Sequence, residues 1–194
     1  MLSFKKFKKK YTVKVPQNIQ VVYCEKKNLI TFVGPFQTKS LKLTVKIFLI
    51  SSLNLIVVSD IPILSQSTID FKNVKKVQGT TVAKIKQVLI ETIYPLHHKL
   101  NLVGVGYRVF SYENLPNQIY LKLGYSHLIY FRIPKPLNTL CQKFTKLFLF
   151  GATSFDSVTQ IAAQIRLCKV PEPYKGKGIL HSAEKIVLKK GKKI

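Results

Sequence analysis

Acid–base, nucleophilic or metal chemistry in this 194-residue sequence would have to come from eight carboxylates, four histidines and three cysteines. Their spacing builds none of the usual sets. Glu25, Asp60, Asp70, Glu91, Glu113, Asp156, Glu172 and Glu184 stand as singles among lysines, with no partner to divide acid and base roles. Asp156 reads as a first-turn helix acid. Cys24, Cys141 and Cys168 are odd in number and far apart, which suits neither a disulfide framework nor a zinc site, and they read as small core residues. His97 and His98 are adjacent, so their rings point apart, and they read as solvent or RNA contacts. Gly104-Val105-Gly106 resembles a dinucleotide loop only at first glance: Val109 stands where the third glycine belongs and no helical pattern follows, so strand glycines or a bulge account for it better. No phosphate loop ending in Gly-Lys-Ser/Thr is present. The expectation is a protein without catalysis, metal, cofactor or small-molecule substrate.

Lysine, by contrast, is in large excess. The chain holds 32 basic and 8 acidic residues, a formal net charge of +24, yet 46% of its residues are hydrophobic. Such a chain folds around a core and wants a polyanion, either nucleic acid or an anionic membrane surface. The lysines cluster at Lys5–Lys10, at Lys169, Lys175 and Lys177, and at Lys185–Lys193. The outer clusters read as arms too charged to pack, which gain order against phosphates as counterions are released. The middle cluster lies in VPEPYKGKGI, Val170–Ile179, where Pro171, Pro173, Gly176 and Gly178 specify a shaped, exposed loop and Lys175 and Lys177 make it cationic. The apolar stretch Ile47–Ser59 is too short and too broken by serines and Asn54 to cross a bilayer as a helix, and it reads as strand and turn.

The elements that would carry this loop follow from periodicity. Ile19–Tyr23 and Leu29–Val33, joined by Glu25-Lys26-Lys27-Asn28, form a hairpin pattern. Leu41, Leu43, Val45 and Ile47 alternate with Lys42, Thr44 and Lys46 as in a half-buried strand. Val82, Ile85, Leu89 and Ile93 then recur at helical spacing, with Thr80 or Thr81 as the N-cap and Pro95 as the stop. The second half repeats the order: strands over Leu100–Phe110, Ile119–Gly124 and Leu128–Ile133, a turn at Pro134–Pro136, an apolar run Leu147–Phe150, and a helix capped by Ser154. That helix carries Val158, Ile161, Ala162, Ile165 and Cys168 on one face and ends before Pro171. The expectation is an α+β protein of two similar small domains, residues 1–95 and 96–194, each an antiparallel sheet with one packed helix. The first would carry the basic N-terminal arm, the second the cationic loop and basic tail.

PEPYKGKGI is similar to the signature of the bacterial-type large-subunit ribosomal protein L-six family. LVGVGYR (Leu102–Arg108), LGYSH (Leu123–His127), GATSFDSVTQIAAQIR (Gly151–Arg166) and the GKK tail after Lys190 resemble the same family in the same order, from about Val15 to the C-terminus. The first domain resembles it mostly in pattern. The resemblance implies two domains, no catalytic role, binding to large-subunit rRNA near the stalk base and the sarcin–ricin region, and neighbouring large-subunit ribosomal proteins as partners. Carried over by position, it places the RNA-facing loop at Pro171–Ile179, with Pro171, Pro173, Tyr174, Lys175, Gly176, Lys177 and Gly178 as contacts. Arg166 and Lys169 before the loop, and Lys185, Lys189 and Lys190 after it, complete the expected interface. A lysine offers phosphate a mobile point charge, glycine lets backbone N–H groups approach, and Tyr174 stacks or donates its hydroxyl.

The sequence also departs from the family pattern. Val82, near Lys84 and Lys86, stands where an arginine commonly follows a Gly-Thr at the first helix, and Ser51–Val74 match poorly. Arg108, Arg132 and Arg166 are the only arginines, so phosphate contacts fall mostly to lysine. The opening MLSFKKFKKK lacks arginine and is short for a presequence, and the lysine, isoleucine, phenylalanine and asparagine bias suggests an AT-rich genome. The reading is a chain made inside a mitochondrion, with a plastid or an AT-rich bacterium as alternatives. A peripheral membrane protein and an RNA-processing factor are the other function classes such a charge would serve.

Overall fold

A computed structural model describes residues 11–63, 71–112, 115–151 and 154–191. The Lys5–Lys10 arm, Lys192, Lys193, Asp70 and Glu113 lie outside the described residues, as does the middle of the poorly matching Ser51–Val74 segment. The chain divides into two compact units, the first ending at Tyr94 and the second beginning at Pro95. Each wraps two small antiparallel sheets and one helix around its own core. The α+β class expected from sequence is the one found, with each unit's strands divided between two sheets.

In the first unit, β2 (Gln20–Cys24), β3 (Leu29–Val33) and β4 (Thr38–Lys42) form one sheet in that order, and β1 (Thr12–Lys14), β6 (Leu55–Pro62) and β5 (Val45–Ile50) form the other in the order β1-β6-β5. The expected β2–β3 hairpin is present, its turn closed by the Asn28 N–H donating to Glu25 O at 3.2 Å with Asn28 at φ 52°. The alternation across Leu41–Ile47 is real as burial, since Leu43, Val45 and Ile47 are buried and Lys42, Thr44 and Lys46 exposed. It is not one strand, however. The chain leaves the first sheet after Lys42 and enters the second at Val45, keeping the same face to the core across the corner.

The helix α1 spans Phe71–Ile93 and starts well before the expected cap. Thr80 and Thr81 sit inside it. Their hydroxyls donate to Val77 O, and Thr81 also to Gln78 O at 2.8 Å, so side chains that suggested a cap are satisfied by carbonyls one turn back. Val82, Ile85, Val88 and Leu89 pack on Ile30, Phe32, Ile56 and Val58. Burying a side chain such as Ile30 or Phe32 completely stabilises the unit by roughly 1.5–3 kcal/mol.

The second unit runs β7 (His97–Val103), β8 (Arg108–Tyr112), β9 (Leu115–Lys122), β10 (Ile129–Arg132), β11 (Asn138–Gln142), β12 (Lys146–Phe150), α2 (Phe155–Leu167) and β13 (Gly178–His181). One sheet has the order β11-β12-β7-β13 and the other β10-β9-β8. The expected single strand over Leu100–Phe110 is two strands in different sheets, and Gly104–Tyr107 is the turn between them, closed by the Tyr107 N–H on Gly104 O at 3.2 Å. Neither glycine is a bulge. Periodicity also missed β11, whose polar ends hide Leu140, and β13, which begins within the stretch read as irregular and runs on to His181. The Ser154 cap is present, its Oγ accepting from the Ser157 N–H at 3.4 Å, and Asp156 lies in the first turn of the helix. Val158, Ala162 and Ile165 of α2 pack with Leu100, Leu102, Leu147, Leu149 and Ile179.

Of the three cysteines expected in the core, Cys141 and Cys168 pack against the core of the second unit and Cys24 does not. Cys24 is exposed at the end of β2, and Cys141 and Cys168 are half-buried.

Candidate nucleic-acid interface

The segment between α2 and β13 is built by backbone closure. The Cys168 N–H donates to Ile165 O and the Lys169 N–H to Arg166 O, ending the helix, and the chain then turns through Pro171. Ile179 N–H donates to Lys169 O at 2.9 Å, Glu172 N–H to Lys177 O at 2.9 Å and Gly176 N–H to Glu172 O at 2.8 Å. These three bonds close the loop at its neck and again at its tip. The glycines serve that closure. A Cβ on Gly178 would lie 2.5 Å from Pro171 Cα, so the loop's two limbs can approach this closely only with glycine there, and Gly176 holds the tip at φ 68°. Both glycines are shielded from solvent. The expectation that glycine N–H groups reach the RNA does not hold for Gly176, whose N–H is spent on Glu172 O, while Gly178 stands opposite Val103 as the first residue of β13.

What the closed loop displays is cationic and aromatic. Pro173, Tyr174 and Lys175 are exposed, Tyr174 at 54%, while Pro171, Lys177 and Lys169 are half-buried. The Lys169 ammonium lies 4.0 Å from the centroid of the Tyr125 ring, and the Tyr125 hydroxyl donates to Cys168 O at 3.2 Å. His127 stacks on the same tyrosine with centroids 5.7 Å apart. The LGYSH turn therefore props the base of the loop, a role that only its motif, not its periodicity, could have signalled.

The tail packs, contrary to the reading of it as an arm ordered only by phosphate. Ser182 N–H donates to Lys99 O, Glu184 N–H to His181 O, and Lys189 N–H to Pro173 O at 2.9 Å. Lysine side chains do not prevent this because the bonds use the backbone. Lys185, Lys189 and Lys190 remain exposed beside the loop. Arg166 is committed elsewhere: its Nε donates to Glu184 Oε2 at 3.0 Å and its Nη2 to Glu184 Oε1 at 2.6 Å. The fork raises the Arg166 pKa and holds the Glu184 carboxyl below the usual carboxylate range, chiefly through the same hydrogen bonds. Glu184 Oε2 also accepts from the His181 N–H at 3.2 Å. His98, expected in solvent or on RNA, is instead half-buried, its Nε2 2.8 Å from His181 Nδ1, and burial lowers its pKa. Strand pairing of β13 with β7 brings the two rings together across 83 residues, a distance no local pattern spans.

A cleft in the first unit between Val15, Ile19, Leu49 and Ile56 contains no titratable side chain. Among the described residues no three His, Cys, Asp or Glu side chains gather as a metal site, and no helix is long and apolar enough to cross a membrane.

Residues 103–182, which include the loop and its props, match the family described as Ribosomal protein L6. Large ribosomal subunit protein uL6 of Mycoplasmoides gallisepticum is 37% identical over 180 residues, covering 93% of this chain and 92% of that protein. The uL6 protein of Bordetella avium is 30% identical over 184 residues, covering 95% and 97%, and that of Malacoplasma penetrans is 44% identical over 123 residues, covering 63% and 65%. Fold and similarity together define a ribosomal protein, a structural component and not an enzyme. The chain belongs to the Ribosomal protein L6 family, as a protein of the large ribosomal subunit. These relatives are bacterial and give the expected mitochondrial origin no support; they favour the bacterial alternative. A residue bias from an AT-rich genome reports base composition, not compartment.

Proposed function

We propose that the second unit grips large-subunit rRNA through the proline loop and the adjoining tail, near the stalk base and the sarcin–ricin region, and so helps hold the particle in its working form. Residues 1–95 and 96–194 act as its two domains, with neighbouring large-subunit proteins completing the environment. The observation that carries this reading is the closed loop itself: three backbone hydrogen bonds fix its shape while Tyr174 and Lys175 remain exposed, with Lys177 half-buried beside them. A surface already shaped loses less entropy on docking, so more of the phosphate attraction appears as affinity. Arg166 enters this interface as a support for the tail and Lys169 as a support for the loop base. The bacterial relatives support a bacterial cytoplasm, and sequencing the locus that encodes the chain tests that placement against an organellar one.

Sedimentation of the full chain with purified large subunits, in rising salt, tests the reading. The expected result is co-sedimentation that persists at moderate salt and is absent with anionic liposomes. Binding to liposomes, with none to large subunits, would replace the ribosomal reading with the membrane one.

A further inference from the structure

The second unit carries a surface that the proline loop does not use. On the sheet β10-β9-β8, Val109, Ile119 and Leu121 face the core and have no exposure. Alternation therefore turns Arg108, Phe110, Tyr120, Lys122, Tyr130 and Arg132 to the opposite face. Register aligns the rings in a row: Phe110 opposes Tyr120, which opposes Tyr130. Phe110 and Tyr120 stack with centroids 4.7 Å apart and planes 11° apart, and Tyr130 follows at 6.5 Å, with the residue 64% exposed. Phe144 ends the row, its ring 5.0 Å from that of Phe110. Its backbone sits at φ 56°, a conformation costly for a bulky side chain, and the residue is 53% exposed.

Charge then selects the occupant. Two of the chain's three arginines flank this row. Arg108 lies directly opposite Lys122 across β8 and β9, a like-charge pair that weakens a sheet standing alone. The described carboxylates of this unit, Asp156, Glu172 and Glu184, all lie off these three strands. An anion seated between Arg108 and Lys122 relieves the repulsion, and flat rings beside it accept flat partners. A nucleotide has both parts.

We propose that the outer face of β8, β9 and β10 is a stacking platform for unpaired RNA bases, with Tyr130 and Phe144 offering rings and Arg108, Lys122 and Arg132 taking the neighbouring phosphates. The proposal rests on the reading of this chain as an RNA-binding ribosomal component but uses residues separate from the loop. Stacking tolerates any base, so the platform recognises single-stranded character more than sequence.

A fluorescently labelled, unstructured oligouridine titrated against the full chain tests it. Tyr130→Ala is expected to weaken binding about tenfold, as loss of one stacked base does, and to leave the salt slope unchanged. Tyr130→Phe keeps the ring and should bind as the parent does. Arg132→Gln should weaken binding and flatten the salt slope, and crosslinking by a thiouridine-substituted oligomer should map to β8–β10. Binding of Tyr130→Ala equal to the parent overturns the platform, as does equal affinity for a duplex of the same length. Loss of self-association in Tyr130→Ala, without loss of RNA binding, would make the face a protein contact and also overturn the proposal. Lys175→Ala/Lys177→Ala is run on large-subunit rRNA in parallel: affinity and salt slope equal to the parent there, with Tyr130→Ala still defective, removes the loop reading and leaves the platform standing.

Discussion

Among the described residues a carboxylate in each unit is held by a basic side chain, and these two pairs are handled differently. In the first unit Lys39 reaches Glu91, whose side chain is 2% exposed and also accepts from Gln87 Nε2 at 3.1 Å. In the second, Arg166 and Glu184 form a fork at 26% and 25% exposure. The first pair fastens α1 to β4 from inside the fold, Gln37 donating to Glu91 O ties the helix to the residue before β4, and Gln78 donating to Val58 O ties it to β6. Indeed, the polar residues buried among those described, Gln78, Thr81, Glu91 and Thr92, all lie on α1. Helix α2 buries only Val158, Ile161, Ala162 and Ile165, and its polar chemistry is turned outward to tie the tail beside the loop. One unit uses charge to build itself; the other uses it to shape a surface.

The largest effect that would sharpen this contrast is expected from Lys39→Ala. Removing the lysine leaves a buried carboxylate poorly compensated, and the loss should be about 3 kcal/mol, read by urea unfolding of the full chain. A loss no larger than that from an exposed pair would erase the distinction. Glu184→Gln should cost under about 1 kcal/mol, because the pair is partly hydrated. Its signature lies in pH. The folded-state pKa of Glu184 is lowered, so its contribution is complete above the ordinary carboxylate range and is lost as pH falls through that range toward the lowered folded value. The parent and Glu184→Gln should therefore converge in stability in acid. A gap that persists or widens there would mean the fork does not account for the difference.

Particular residues show what the sequence could and could not disclose. The stripe Val158, Ile161, Ala162, Ile165 and the Ser154 cap were legible because helix periodicity and capping are local. The start of α1 was not, since Gly79, Thr80 and Thr81 look like a helix boundary until the carbonyls of Val77 and Gln78 are found to satisfy the threonine hydroxyls. The corner at Leu43–Thr44 was hidden because burial alternates unchanged across it while the hydrogen-bond partners change. In the loop, the signature pointed to the segment but not to the structural division of labour within it. Tyr174 and Lys175 present chemistry, whereas Gly176 and Gly178 make room. Glu184, His181, Tyr125 and the aromatic row depend on strand pairings between distant segments, and single residues such as Arg108 or Tyr130 carry no local mark of the face they share.

The central claim is that the cations of the closed loop meet rRNA phosphate, and the salt dependence of binding tests it most directly. Binding of the full chain to large-subunit rRNA should be measured over a salt series for the parent and for Lys175→Ala/Lys177→Ala. The account predicts weaker binding and a log–log slope shallower by about two for the double variant, roughly one for each phosphate that a lysine no longer neutralises, with folding stability unchanged. An identical slope and affinity would contradict it and take the loop out of the interface.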